Sequence, residues 1–432
     1  MSMEGSGTSV HGIFRIRKIE SLSTQTARML PARTEEDGLR IAWIDVTTLV
    51  FAYPPPHGFR YAGGACTHRL TSLIEVRTEC GRTGIGAAYS HPDLVRMIIE
   101  QHLAPLLIGR DPTEVEALWR KMYLDTRWYG RKGAAISALG AIDTALWDLR
   151  GQALGVPVRK LLAADARDAV PAYASGLLWH DSEASIAEEA ARHVAEGFRR
   201  MKMRLGYGGA QDLAMIDAVR RGAGPGRDIM VDGSMRYTPE EAARLAEALA
   251  ARGIFWFEEP FEPDAVEAYA ALRRVSRVPI AAGENEFGLE GFRELLRERA
   301  VDIVQADASR AGGISVVATV GREAAAQGCR LAPHTWSDAV TVIANAQVVA
   351  ALPNAITVEV DRTGTPLINA LLEEPLAIRD GLLTLPAAPG LGIRLNRETV
   401  DRLRWPPGTP LPAGQYSDMW FATAPEAATP HP

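Results

Sequence analysis

The 432-residue chain holds three cysteines, Cys66, Cys80 and Cys329, with no CxxC among them. That excludes a disulfide framework and a cysteine zinc site, and it fits a reducing, cytoplasmic compartment. There is no surplus of positive charge: the formal net charge is -6, which argues against a nucleic-acid partner. No apolar run reaches membrane-spanning length, so no membrane partner is expected. The opening MSMEGSGTSV has no basic segment followed by an apolar one, the mark of a signal peptide. No internal repeat is visible beyond the period described next. The chain does have 47% hydrophobic residues, enough for a barrel and a second domain.

The most informative stretch runs from 231 to 288. In it Asp232 follows IMV, Glu258 follows IFWF and Glu284 follows PIAAG, at intervals of 26 residues. Each interval holds one Ala/Leu/Arg-rich helical segment, and a strand, a helix and two loops take about that length in a βα-barrel. Each acid thus stands at the C-terminal end of a parallel strand, on the face where such barrels carry their active sites. One such acid alone reads as a helix N-cap or a surface ion pair. Three in phase point to convergence, and converging carboxylates repel unless a cation lies between them. All-oxygen ligation favours a hard ion such as Mg²⁺. The phase extends both ways: Lys202 lies 30 residues before Asp232, and Asp307, His334 and Glu359 follow Glu284 at intervals of 23, 27 and 25.

Residues 1–39 are polar, with little periodicity, and read as a disordered extension or a mis-called start. IAWIDVTTLVFAY reads as a strand and PPPHGFRYAGGACTHR as a loop, in which His57, Arg60 and Tyr61 suit a lid touching an anionic substrate. TSLIEVRTECGRTGIGAAYS reads as a hairpin turning at Gly81. Helices follow, one starting around Asp111, Pro112 and Glu114, and another, GAAISALGAIDTALWDLRGQALG, closed by Gly155 and rich in small residues that favour tight packing. RWYGRKG, between them, faces either site or solvent. Barrel strands are expected to end near 175, 205, 233, 258, 284, 307, 334 and 360. After 361 the period is lost, and APEAATPHP reads as disordered.

Taken together, GAAISALGAIDTALWDLRGQALGVPV, GFRRMKMRLGYG, VDGS, FWFEEP, AAGEN, QADASRAGG and His334 resemble the mandelate racemase branch of the enolase superfamily, in order and spacing, over residues 40 to 400. The resemblance implies a (β/α)7β, TIM-like barrel over residues 166–360. It also implies an α+β capping domain over 40–165, to which the segment 361–432 returns. It makes Asp232, Glu258 and Glu284 the Mg²⁺ ligands, with Glu259 behind them. It makes Asp307 and His334 a dyad, and Glu359 the acid that hydrogen-bonds a substrate carboxylate on the side away from the metal; burial near other negative charge could keep it protonated and able to donate. Lys202 would bind that carboxylate. Ser234 and Trp336 would face the pocket, and Arg310 stands near the dyad or pairs with a carboxylate. A homo-oligomer is expected by the same resemblance.

One position departs from the pattern. The family's Lys-x-Lys at the end of strand two is here Lys202-Met203-Arg204. A guanidinium is a poor proton acceptor, so a two-base racemase lacks its second base. One base suffices for β-elimination, which points to a Mg²⁺-dependent dehydratase of a sugar acid, a lyase. A racemase, epimerase or cycloisomerase using the same enediolate is the alternative, and a non-catalytic binding barrel a remote one. A zinc hydrolase would want paired histidines in the motif region, which holds His334 alone. Substrate choice would lie in the loops near 54–68 and 125–133.

Overall fold

The computed structural model describes residues 39–54, 58–61, 64–411 and 419–421. Residues 1–38, with nearly all of the segment expected to be disordered, lie outside it, as does His57. A five-stranded sheet comes first: β1 (Ile41–Ala52), β2 (Phe59–Tyr61), β3 (Gly64–Thr78) and β4 (Thr83–Ala88), joined by a strand from the far end of the chain. β3 is its centre and pairs antiparallel with β1, β2 and β4. Gly81, at φ 88°, makes the expected turn between β3 and β4.

Within the stretch expected as a loop, from Pro54 to Arg69, most of the described residues are strand. Phe59–Tyr61 folds back on Gly64–Cys66. Phe59, Tyr61 and Cys66 pack with Tyr89, Leu178, Trp336 and Met419, so tertiary burial outweighs the local glycine and proline signal. The helix expected near Asp111 begins at Val115 and runs to Thr126. Asp111 does not cap it; its carboxylate accepts the Thr113 N–H at 2.8 Å and closes a turn just upstream.

Eight parallel strands then form a barrel: β5 (Ala169–Ser175), β6 (Arg200–Arg204), β7 (Asp228–Asp232), β8 (Phe257–Glu258), β9 (Ile280–Ala282), β10 (Ile303–Val304), β11 (Arg330–Leu331) and β12 (Val358–Asp361). β5 through β11 pair in sequence order, and β12 pairs with β5. A parallel bridge from Leu331 to Ala355 closes the ring. A helix follows each of the first seven strands. Tyr173, Met230 and Trp256 share a buried cluster in which each stands two residues before Ser175, Asp232 or Glu258. With a side-chain period of two, the strand face that fills the barrel centre therefore presents polar groups at its upper end.

The returning segment does not go straight to the capping sheet. β13 (Ile378–Arg379) and β14 (Leu382–Thr384) form a hairpin whose second strand pairs antiparallel with the start of β5. Only then do the helix Arg397–Leu403, a bridge from Arg404 to Leu49, and β15 (Met419–Phe421) reach β1 and β3. Hairpin pairing covers an edge of β5 that is otherwise open below the barrel ring.

The 21-residue helix Ala134–Leu154, capped by Gly155 at φ 70°, joins the two parts. A Cβ on its Gly140 would lie 2.5 Å from the Gly313 nitrogen, main chain against main chain. Beside that contact Asp143 accepts the Ser315 N–H at 2.9 Å and Trp147 donates to the Ser315 hydroxyl at 2.8 Å. Gly140→Val should therefore destabilise the protein by about 2–3 kcal/mol, because backbone cannot give way as a side chain can. Urea unfolding checks this. Gly209→Ala, whose Cβ would meet nothing within 4 Å, should leave the midpoint unchanged or raise it.

Candidate metal centre and active site

The strand ends place the acids. In β6, Lys202 and Arg204 are two residues apart and share the inward face. Asp232 ends β7 and pairs across the sheet with Arg204 on one side and Glu258, at the end of β8, on the other. Glu284 follows β9 by two residues, after Gly283 at φ 122°, a turn that a side chain would resist. The ligand atoms of Asp232, Glu258 and Glu284 lie within 4.8 Å of one another.

The surroundings of this trio are polar and almost wholly enclosed. Lys202 Nζ contacts Glu258, lies 2.9 Å from Glu359 Oε1 and 3.5 Å from Asp232 Oδ2. Arg204 pairs with Asp232 and stands 3.5 Å from the Ser234 hydroxyl. Trp256 donates to Glu258 Oε2 at 2.8 Å. Asp232 Oδ2, Glu284 Oε2 and Glu359 Oε1 have no directed hydrogen bond in the structure. Three carboxylates at this spacing, with the buried Glu284 Oε2 accepting no hydrogen bond, fit a hard divalent cation. Glu259 points elsewhere. It takes φ 34° and accepts from Asn285 Nδ2 at 2.7 Å, and Arg310 in turn donates to Asn285 Oδ1 at 2.8 Å.

Charge crowding moves these groups' proton affinities in opposite directions. Burial alone would raise Asp232, but Arg204 and Lys202 outweigh it and hold the carboxyl below its usual range. Glu258 is raised by burial and by Asp232, Glu284 and Glu359, against the pull of Lys202. Glu359 is buried too, yet Lys202 and His334 hold it well below the ordinary glutamate value. Its Oε2 accepts the Thr335 N–H at 2.9 Å. With Lys202 against one oxygen and an amide N–H on the other, both Glu359 oxygens face donors in this structure. Burial disfavours charge on Lys202 and Arg204, but the surrounding carboxylates raise both above their ordinary values.

Across the cluster, His334 Nδ1 meets Asp307 Oδ2 at 2.8 Å, and His334 Nε2 lies 3.6 Å from Glu284 Oε2. The other Asp307 oxygen accepts the Ser309 N–H and hydroxyl, both at 2.8 Å, and Asn345 Nδ2 at 3.2 Å. Asp307 is thus fixed as an acceptor, which orients the ring and leaves Nε2 facing the trio. Burial lowers the affinity of His334 for a proton, but Glu284, Glu359 and Asp307 push it up to about 9.

The residues expected to bind substrate divide. Ser234 sits beside the trio, its N–H 2.8 Å from Asp232 Oδ1. Trp336 and Tyr61 flank Arg204, with rings 5.5 and 5.8 Å from its Cζ. Arg60 turns away. It pairs with Asp181 and lines a cavity of about 790 Å³, with His180, Glu189 and Arg362, that none of the trio borders. Arg310 lies over the Tyr89 ring at 4.9 Å.

Sequence reasoning missed Tyr89, whose ring stands 5.9 Å from that of His334, and Asn345, which bonds Asp307, the His334 carbonyl and the Thr335 hydroxyl. It also missed Arg69, buried against Asp361. The signal for Asn345 was legible: an amide in the run AVTVIANAQVVAA, all of it buried, demands partners.

Two family models match the chain. Residues 45–163 match "Mandelate racemase / muconate lactonizing enzyme, N-terminal domain", and residues 185–399 match "Enolase C-terminal domain-like". The chain belongs to the mandelate racemase / muconate lactonizing enzyme family of the enolase superfamily. It is 36% identical to D-galactarolactone cycloisomerase of Agrobacterium fabrum, over 81% of this chain and 95% of that one. It is 36% identical to arabinonate dehydratase of Saccharolobus solfataricus, over 74% and 87% respectively. Among solved structures, L-talarate dehydratase from Polaromonas sp. JS666, complexed with Mg and L-glucarate, superposes with a TM-score of 0.77 at 28% identity, covering 85% of this chain and 98% of that one. The family's barrel and capping domain are the two parts described above.

Lys202 is the internal counter-charge of this centre. Lys202→Met would leave Glu258, Glu359 and Asp232 buried without it, a change that costs about 3–5 kcal/mol when one partner of a buried pair is removed. The expected result is a lower melting temperature, with a larger drop in EDTA than in MgCl₂. Equal drops in both would show that the carboxylates are not shared with a divalent cation.

Proposed function

We propose that this enzyme removes the proton α to the carboxylate of a sugar acid and expels the β-hydroxyl as water, giving a 2-keto-3-deoxy acid. The observation that carries this reading is the asymmetry of the site. His334, oriented by Asp307, is placed with Nε2 toward the trio, where it can take the proton. Arg204, at the position of a second base, is held more firmly protonated by Asp232, Glu284, Glu258 and Glu359. A racemase needs a proton acceptor on each face; an elimination needs one.

Asp232, Glu258 and Glu284 would hold Mg²⁺, in keeping with the magnesium in the talarate dehydratase complex. The ion supplies positive charge that stabilises the carboxylate as the α-proton leaves. Lys202 and Arg204 add fixed positive charge to the same region. His334 Nε2 takes the α-proton and, as imidazolium, returns it to the departing hydroxyl. The electron pair left on Cα forms the Cα–Cβ double bond as the C–O bond breaks. The enol then tautomerises to the keto acid. Trp336 and Tyr61 exclude water on the Arg204 side.

A second reading rests on a specific observation. The galactarolactone cycloisomerase matches over 95% of its own length. The same single base suits it, because a ring oxygen at the β-carbon leaves as readily as a hydroxyl.

The test is turnover of aldonic acids, aldaric acids and their lactones with Mg²⁺, followed by semicarbazide absorbance. Keto acid should form from one sugar acid, and His334→Asn should reduce the rate by about 10²–10⁴-fold. Lactone consumption without water loss would select the cycloisomerase. Accumulation of the α-epimer by the wild-type protein would overturn the one-base reading altogether.

A further inference from the structure

We propose that Arg69 and Thr71 of the capping sheet are positioning residues for His334, so that seating of the cap and alignment of the base are one event. The inference rests on the reading of His334 as the base. Arg69 and Thr71 lie two apart in β3 and share a face. That face meets the segment 334–338, which follows β11. The Arg69 side chain is fully buried. Nη1 donates to Asp361 Oδ2 at 2.8 Å, and Nη2 donates to the Trp336 carbonyl at 2.5 Å. Its guanidinium also lies 4.9 Å over the Trp336 ring. Two residues on, the Thr71 hydroxyl donates to Asp338 Oδ2 at 2.8 Å. Asp338 Oδ1 accepts the Thr341 N–H at 3.0 Å and so caps the helix Ala339–Ala351.

From the barrel side, Asn345 and Glu359 hold the start of the same segment, at the His334 carbonyl and the Thr335 N–H. The cap holds its end, at 336 and 338. The segment carrying the base is thus gripped from both parts of the molecule.

A buried ion pair is weak evidence for stability, since an apolar pair of similar volume holds surfaces together as well. What the planar guanidinium adds is direction: it bonds a carboxylate of β12 and a main-chain carbonyl of the base's own loop at fixed angles. The Arg69 hydrogen bonds described above run to Asp361 and to the Trp336 carbonyl, so the effect proposed for it is on alignment. A displacement of about 1 Å in a reacting group costs on the order of 10²-fold in rate.

The discriminating variant is the double substitution Arg69→Met with Asp361→Leu, which removes both buried charges. It should still fold, because neither charge is left buried without its partner. On the sugar acid that the wild type converts, its kcat should nonetheless fall on the order of 10²-fold, with KM within about threefold. Arg69→Lys should recover only part of the rate, because an ammonium cannot reproduce the fork. Independently of turnover, amide hydrogen exchange across residues 332–340 should quicken in the double variant, while residues 215–231 keep their protection. A double variant with wild-type kcat, or with unchanged exchange across 332–340, would overturn the proposal. If the wild type converts no sugar acid, the reaction assigned above fails, and the exchange measurement still decides whether the cap aligns the loop.

Discussion

Everything at the mouth of this barrel is arranged around the mutual repulsion of Asp232, Glu258, Glu284 and Glu359 in an enclosed site. Like charges a few ångströms apart in low dielectric do not coexist without compensation. Lys202 supplies part of it, contacting Glu258 and Glu359 while lying close to Asp232, and Arg204 supplies more through Asp232. A divalent cation among the trio would complete it. The same carboxylates bear on His334, since Glu284 and Glu359, together with Asp307, raise its affinity for a proton. Charge balance and base strength are therefore one problem, solved by one constellation.

That constellation depends on rigid parents. The acids stand on strand ends whose register is fixed by parallel pairing, Arg204 beside Asp232 and Asp232 beside Glu258. Below them Tyr173, Met230 and Trp256 fill the barrel centre. The helix following Asp307 is docked on the capping helix by the Gly140–Gly313 approach and by Asp143. The backbone beside the trio is strained, with Ser234, Met235 and Glu259 all at positive φ without being glycine. Such conformations persist where surrounding hydrogen bonds over-determine them, as the Gly233, Met235 and Glu259 amides do by bonding across neighbouring strands.

The barrel and its acids were legible because a βα-unit has a characteristic length. A carboxylate recurring every 26 residues behind an apolar run states both the fold and its active face. The Ala-rich helix declared close packing through its small residues. The cap was harder to read. Phe59–Tyr61 looked like loop because proline and glycine dominate its neighbourhood, whereas burial against Trp336 and Leu178, remote in sequence, decides its structure. Arg69 lies in that sheet and Tyr89 just past the end of β4, and no local pattern tells which barrel loop a cap strand will meet. The partners of Glu359 were hidden for a related reason: they are Lys202 and the Thr335 amide, which only the closed barrel brings to its side.

The most direct test of this account is calorimetric titration of Mg²⁺ into the EDTA-stripped protein and its Asp232→Asn, Glu258→Gln and Glu284→Gln variants. The account predicts one ion per chain, bound at least about tenfold more weakly by each variant, the loss of a ligand costing no less than that of its outer support. Affinity unchanged in all three variants, or no binding by the wild type, would contradict it.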